Sequence, residues 1–305
     1  MIELHNVSRW YGQVIGLNDV TCTIQPGLTA LLGVNGAGKS TLMRLVTGQI
    51  KPTTGVLTVF GQEPFANPEV YRKLGYCPEI DTFYEYMTGR QFVRLLARMA
   101  GYDTREANDR SDRMIERVGM SDRCDRPIQG YSKGMRQRIK LAQAMVHEPD
   151  IILLDEPLNG LDPVGRREFM DLLAELAQEG KAIVVSSHIL YEVEQMTRNI
   201  LLLHRGRLLA TGDLRVIREL IDKHPHQIRV ETDEPRRAAA LFAAMPNVVS
   251  LSFAPGGGVL ELEVREPDSF YNRLNEAVVD ENLSVTGVSS PDNNLESVFR
   301  YLVGP

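Results

Sequence analysis

Apolar and polar positions along the chain up to about residue 212 follow two alternating rhythms. Strand-like runs stand at Ile2–Val7, Thr29–Leu32, Ile151–Leu154, Ala182–Ser186 and Ile200–Leu203, with helical patterns between them. Several of these runs are apolar throughout rather than alternating, as expected of strands covered on both faces. Residues 85–148 read as helix almost throughout. Thr88 followed by Gln91 is a capping-box signal, and Phe92, Leu95, Leu96 and Met99 then recur at i, i+3, i+4, i+7 as one apolar stripe expected to be core. The pattern predicts an α/β domain over 1–212 that carries a helical subdomain at about 85–148.

The rhythm changes near Gly212-Asp213. Asp213 can cap a helix bearing Leu214, Ile217 and Ile221. The order that follows is a strand at 227–231, a helix at 235–245 and a strand at 247–253. After the turn Gly256-Gly257-Gly258 comes an alternating strand with Leu260, Leu262 and Val264, then a helix after Pro267 and a strand at 283–289. This β-α-β-β-α-β order predicts a small α+β, ferredoxin-like accessory domain over 213–305. A last helix places Leu295, Val298, Phe299 and Leu302 on one face.

Composition narrows the class. An apolar share of 43% with 24% charged residues suits a globular protein with a packed core, and 305 residues suggest roughly two domains. The net charge of -6 argues against a dedicated nucleic-acid binder. Cys22, Cys77 and Cys124 are odd in number and far apart, so they suggest neither a disulfide framework nor a zinc site, in keeping with a reducing compartment. The amino terminus does not read as a signal peptide, and the apolar runs fall short of the roughly 20 residues a bilayer crossing needs. Any action on a membrane is therefore expected through a partner.

Two segments carry chemistry. Gly33-Val34-Asn35-Gly36-Ala37-Gly38-Lys39-Ser40 fills every position of G-x-x-x-x-G-K-[ST], follows an apolar strand and opens a helix at Thr41. Its glycines let backbone N–H groups face phosphate oxygens, and the helix start adds positive potential. Lys39 would reach the β- and γ-phosphates, and the Ser40 hydroxyl would ligate Mg²⁺. The second segment, Ile151 to Glu156, is an apolar strand ending in two carboxylates at the edge where α/β sheets bind ligands. Asp155 is expected to hold Mg²⁺ and Glu156 to polarise the attacking water as a general base.

Around these lies an ordered set of further motifs. Tyr131-Ser132-Lys133-Gly134-Met135-Arg136-Gln137 precedes the acidic strand, Asn159-Gly160-Leu161-Asp162 follows it, and His188 comes after Ser186-Ser187. Over residues 1–212 this arrangement resembles the ATPases of the ABC (ATP-binding cassette) family, with a signature motif, a D-loop and a switch histidine in order. The resemblance implies a P-loop NTPase cassette that binds ATP with Mg²⁺. Tyr11 would stack on adenine, and the loop from Asn35 through Gly36, Ala37, Gly38, Lys39 and Ser40 to Thr41 would hold the phosphates. Lys39, Glu156 and His188 would serve hydrolysis, while Ser132, Gly134 and Asp162 would serve the nucleotide of a second cassette. Two ATPs would thus be sandwiched between two copies that together drive a separate membrane permease. The Asn294–Leu302 stretch is similar to the tail of exporter ATPases encoded apart from their permease, among them nitrous-oxide-reductase maturation cassettes. The location so implied is cytoplasmic, peripheral on the inner face of the membrane, with membrane contact only through the permease. An alternative is an ABC-family ATPase of translation control or DNA repair, although this chain has one motif set and no long insertion.

Two departures from the family pattern matter. Tyr131, Lys133 and Met135 stand where Leu-Ser-Gly-Gly-Gln has leucine, glycine and glutamine, while Ser132 and Gly134 remain. Glu79, in Gly75-Tyr76-Cys77-Pro78-Glu79, stands where the family has a metal-binding glutamine, and it could still ligate Mg²⁺ or be a plain loop acid. Ser132 could equally be a helix N-cap. Trp10 reads as packing, His224 and His226 as solvated, and Arg215–Lys223 as an exposed helix face.

Overall fold

The computed structural model describes residues 1–220 and 225–291. The chain divides into two compact units, the first spanning Met1–Asp213 and the second beginning at Leu214. Ile221, His224, the end of the Arg215–Lys223 tract and the last helix read at Leu295–Leu302 lie outside the described residues.

The first unit is built on a six-stranded sheet in the order β5-β6-β7-β3-β8-β9, comprising Leu74–Cys77, Ile151–Leu154, Ala182–Ser187, Gly27–Leu32, Asn199–His204 and Arg207–Asp213. Its pairings are parallel except for the antiparallel β8–β9 edge. The alternation of strand side chains divides each run between two cores. On β6, Ile152 and Leu154 face one cluster with Ile139, Phe169 and Leu173. Ile151 and Leu153 face the other, with Ile2, Leu4, Leu31 and Leu45. Burial on both faces is why these strands read as continuous apolar runs.

A second, antiparallel sheet, β2-β1-β4, joins Val14–Ile24, Ile2–Tyr11 and Thr54–Val59 and lies on the side of the second cluster. Helix α1, Lys39–Val46, follows β3, and the short α2, Pro68–Tyr71, precedes β5. The helical layer comprises α3 (Gly89–Met99), α4 (Thr104–Arg117), a 3-10 turn at Ile128–Gly130 and α5 (Lys133–Met145). Helices α6 (Pro163–Gln178) and α7 (Leu190–Met196) flank β7. The Thr88 box forms as read, each partner bonding the other's backbone N–H. The buried face of α3 differs from the stripe read in sequence. It consists of Phe92, Val93 and Ala97, while Met99 is 74% exposed. Met99 stands in the last turn of α3.

The second unit opens with α8, Leu214–Leu220. It continues as β10 (His226–Thr232), α9 (Pro235–Ala243), β11 (Val248–Phe253), β12 (Val259–Val264), α10 (Pro267–Val279) and β13 (Val285–Ser289). The sheet order β11-β12-β10-β13 sets β12 between β10 and β11, as in a split β-α-β unit, and every neighbouring pair is antiparallel. One face buries Ile228, Val230, Leu260 and Leu262 beneath Phe242 and Phe270, whose rings sit 5.0 Å apart.

Candidate functional site

The phosphate-loop sequence turns between β3 and α1 as its residue types dictate. Gly38 caps α1 at φ 110°, and a Cβ there would stand 2.6 Å from the Gly16 carbonyl oxygen, so only glycine fits. The free N–H groups at the start of α1 open onto a cavity of about 470 Å³. Asn35, Gly36, Ala37, Gly38, Lys39, Ser40 and Thr41 all line it.

From the neighbouring strand ends come the acidic groups. Asp155 and Glu156 follow β6 into the same cavity, and His188 enters it after β7. Asp155 Oδ1 accepts from Ser186 Oγ at 2.6 Å, and that oxygen also accepts from the Glu156 N–H at 2.8 Å. Glu156 holds φ 48°, a left-handed conformation that costs a non-glycine residue on the order of 1–3 kcal/mol. The Ser186 contact to its backbone N–H helps hold it there.

A linked triad follows from this turn. Lys39 Nζ lies 3.2 Å from Glu156 Oε1 and donates to the Gly33 carbonyl at 2.7 Å. On its other oxygen, Glu156 meets His188 Nδ1 at 2.9 Å. The Lys39 and Glu156 side chains are 7% and 8% exposed, whereas that of His188 is 37% exposed, at the mouth of the cavity. A carboxylate held between a cation and an imidazole is fixed in orientation at the cavity.

Glu79 follows β5 and lines the cavity wall with Ser40 and Asp155, while remaining an exposed loop acid. Three hard oxygen donors converging beside a phosphate loop fit Mg²⁺, which prefers carboxylate, hydroxyl and phosphate oxygens. Tyr11, at the end of β1, also lines the cavity, with the Arg9 guanidinium 5.0 Å from its ring centroid. Trp10 lies outside the lining and is 44% exposed rather than packed. His226 is partly exposed at the start of β10.

Ser132, Gly134 and Asp162 do not line this cavity. Ser132 caps α5 and accepts from the Met135 N–H at 3.3 Å, leaving its hydroxyl proton to donate. Asp162 caps α6 without a side-chain bond to it. These two segments lie side by side on one face, since a Cβ on Gly134 would stand 3.7 Å from the Leu161 side chain and one on Gly160 would stand 3.3 Å from that of Lys133. Tyr131, in place of a leucine, is buried and bonds through its hydroxyl to Gly89 N and to Arg123 O, each at 3.2 Å.

Some residues at the site carry weak or no sequence signals of their own. Gly16 packs closely here, since a Cβ would come 2.8 Å from the Tyr11 ring and 3.0 Å from Thr41 Oγ1. Asn159 also lines the cavity, and its backbone N–H donates to the Glu156 carbonyl at 3.3 Å. Ser186 gave a signal only in being polar at the end of an apolar strand.

A family profile described as "ABC transporter" matches residues 17–159. An uncharacterized ABC transporter ATP-binding protein of Bacillus subtilis, YxlF, is 31% identical over 99% of both chains. The bacitracin transport ATP-binding protein BcrA of Bacillus licheniformis is 29% identical over 100% of this chain and 97% of its own. Among solved structures, an ATP-binding subunit of an ABC transporter is 31% identical over 72% of this chain and 92% of its own, with a TM-score of 0.65. A bacterial ABC transporter cassette solved as a dimer is 26% identical over 70% and 99%, with a TM-score of 0.64.

Proposed function

This chain belongs to the ATP-binding proteins of ABC transporters, and from that premise we propose that it is the ATP-hydrolysing subunit that powers a separate membrane permease of export type. The observation that carries this reading is the division of the motifs. Loop, carboxylates and histidine share one cavity, while Ser132, Gly134 and Asp162 sit together outside it. A second copy can complete the cavity by laying its Ser132 and the start of its α5 over the γ-phosphate.

In the completed site, backbone N–H groups of Gly36–Thr41 and the Lys39 ammonium bind the phosphates, and Tyr11 stacks the base. Ser40, Asp155 and Glu79 would hold Mg²⁺, which would supply positive charge against the phosphates. Glu156 accepts the proton of the attacking water, and His188 keeps that carboxylate aimed. Closing the copies excludes solvent water, and separating them after hydrolysis resets the site.

The helical layer is the proposed transmission to the permease. Its loop Ile80–Tyr86 exposes Ile80, Tyr84 and Tyr86, an aromatic surface just beyond Glu79. No described helix is long and apolar enough to cross a membrane, so membrane attachment at the cytoplasmic face is assigned to the permease. The reading as a translation or repair ATPase is not favoured, because relatives named as transporter ATP-binding proteins match the chain end to end.

Purification of the tagged chain from detergent-solubilised membranes tests this. Recovery of a stoichiometric multispanning protein, with Mg·ATP turnover altered by its cargo, supports the proposal. A chain that hydrolyses ATP only alone, with no membrane protein bound under ATP or ADP, refutes it.

A further inference from the structure

Helix α5 grips the segment that carries Glu79. Lys133, Arg136, Lys140, Gln143 and, just past the helix, His147 recur at helical spacing and so share one face. Each of them meets the stretch Leu74–Glu85. The His147 ring bonds the Leu74 carbonyl at 3.1 Å, and Gln143 Nε2 donates to the Tyr76 carbonyl at 3.1 Å. Arg136 spans both Glu85 oxygens at 2.7 Å, and Lys133 stands 3.9 Å from Asp81. The backbones touch as well, since a Cβ on Gly75 would lie 2.1 Å from the Ala144 carbonyl oxygen.

Lys140 is the buried member of this row, with its side chain 4% exposed. Its ammonium donates to the Pro78 carbonyl at 2.9 Å and to the Glu79 carbonyl at 3.2 Å, and Asp81 Oδ1 stands 2.9 Å away as its ion-pair partner. A buried ammonium leaves water at high cost unless it is paired and hydrogen-bonded. A methionine or leucine would fill that volume without the cost, so the choice of lysine points to what it holds.

We propose that Lys140 is a positioning residue that pins the Pro78–Asp81 turn to α5, so that Glu79 and Ser132 move as one rigid body when the site closes. The proposal rests on the reading of Glu79 as a metal-binding group. Glu79 has its own carbonyl bound to Lys140, which fixes the direction in which its carboxylate leaves the chain. Ser132 begins the same helix, two turns earlier. Closure that brings Ser132 onto a partner's nucleotide therefore draws on the same element that sets Glu79 against the metal of its own.

The test reads metal binding rather than turnover. Affinity of the full chain for the non-hydrolysable analogue AMP-PNP is measured at saturating Mg²⁺ and in EDTA, for the parent, Lys140→Met, Glu79→Ala and the double variant. We expect Lys140→Met to lose about tenfold of the Mg²⁺-dependent gain, in the range of groups that orient metal ligands. Its affinity in EDTA should equal that of the parent, because the phosphate loop is untouched. In the Glu79→Ala background the lysine substitution should add nothing. Should Lys140→Met fail to fold, Asp81→Asn removes the charged acceptor instead and should reduce the Mg²⁺ gain in the same way. A parent-like gain in Lys140→Met, or effects that add fully in the double variant, overturns the proposal alone. A Glu79→Ala chain whose Mg²⁺ gain is unchanged refutes the reading of Glu79 itself, and the proposal falls with it.

Discussion

Glu156→Gln isolates the role of one carboxylate because it removes a charge while keeping the side chain's shape. Its two oxygens stand 3.2 Å from Lys39 Nζ and 2.9 Å from His188 Nδ1 in a pocket where it is 8% exposed. The substitution spares the Lys39–Gly33 bond and the whole phosphate-loop backbone. It also ends a competition, since the Lys39–Glu156 attraction is on the order of 5 kcal/mol at an effective dielectric of 20, before desolvation. An incoming γ-phosphate no longer has to draw Lys39 from that carboxylate, so ATP affinity is unchanged or higher. Hydrolysis loses its base, which contributes about 10²–10⁴-fold. At 1.36 kcal/mol per decade this raises the barrier by about 3–5 kcal/mol. Phosphate release over a range of ATP concentrations, beside equilibrium binding of ATP, separates the two effects. Turnover within threefold of the parent, or loss of ATP binding, would refute the assignment.

Three further outcomes are expected. Lys39→Met should weaken ATP binding at least tenfold and abolish turnover, since a charge pair near 4 Å is worth about 4 kcal/mol at that dielectric; parent-like affinity in a fluorescent-nucleotide titration would contradict it. Burial holds the His147 imidazole below its ordinary value of 6.5. The unfolded chain then takes up a proton that the fold refuses, so stability is full above pH 6.5 and falls as the pH drops through the depressed native value. Urea midpoints between about pH 7.5 and about pH 5.5 should show this fall shrinking in His147→Gln, and an unchanged slope there would count against it. Burial likewise pushes the Cys22 thiol up to about 11 and that of Cys77 to about 12. With Cys124 also buried, the native chain should resist thiol reagents at about pH 8 and react at all three positions once unfolded, so rapid native labelling would be the contrary result.

The legible parts of the molecule are those whose physics is local. Ile151–Leu154 and the Ala182 run read as strands because both faces are buried, and the phosphate loop read as a site because its glycines, lysine and serine act within eight positions. The strands β2, β4, β5 and β9 gave no comparable signal. On β1 and β2 the register shifts between Leu4 and Val7 and again near Arg9, which breaks the two-residue alternation. Met99 follows the helical period of α3 yet faces solvent, since periodicity says which residues align and not how far a neighbour extends. Ser186 and Lys140 act on groups 31 and 62 residues away, so only the folded chain brings out their roles. The three residues that avoid the cavity, Ser132, Gly134 and Asp162, owe their proposed role to a second copy rather than to any contact in this one.

That second copy is the central claim, and sedimentation velocity tests it most directly. Glu156→Gln protein should sediment as a monomer without nucleotide and as a dimer with Mg·ATP, because ATP binds and is not consumed. Adding Ser132→Arg in the same chain should leave ATP bound and the protein monomeric, since the helix start can no longer approach the partner's γ-phosphate. A dimer that persists with arginine at position 132, or one that forms equally well without ATP, would contradict the account.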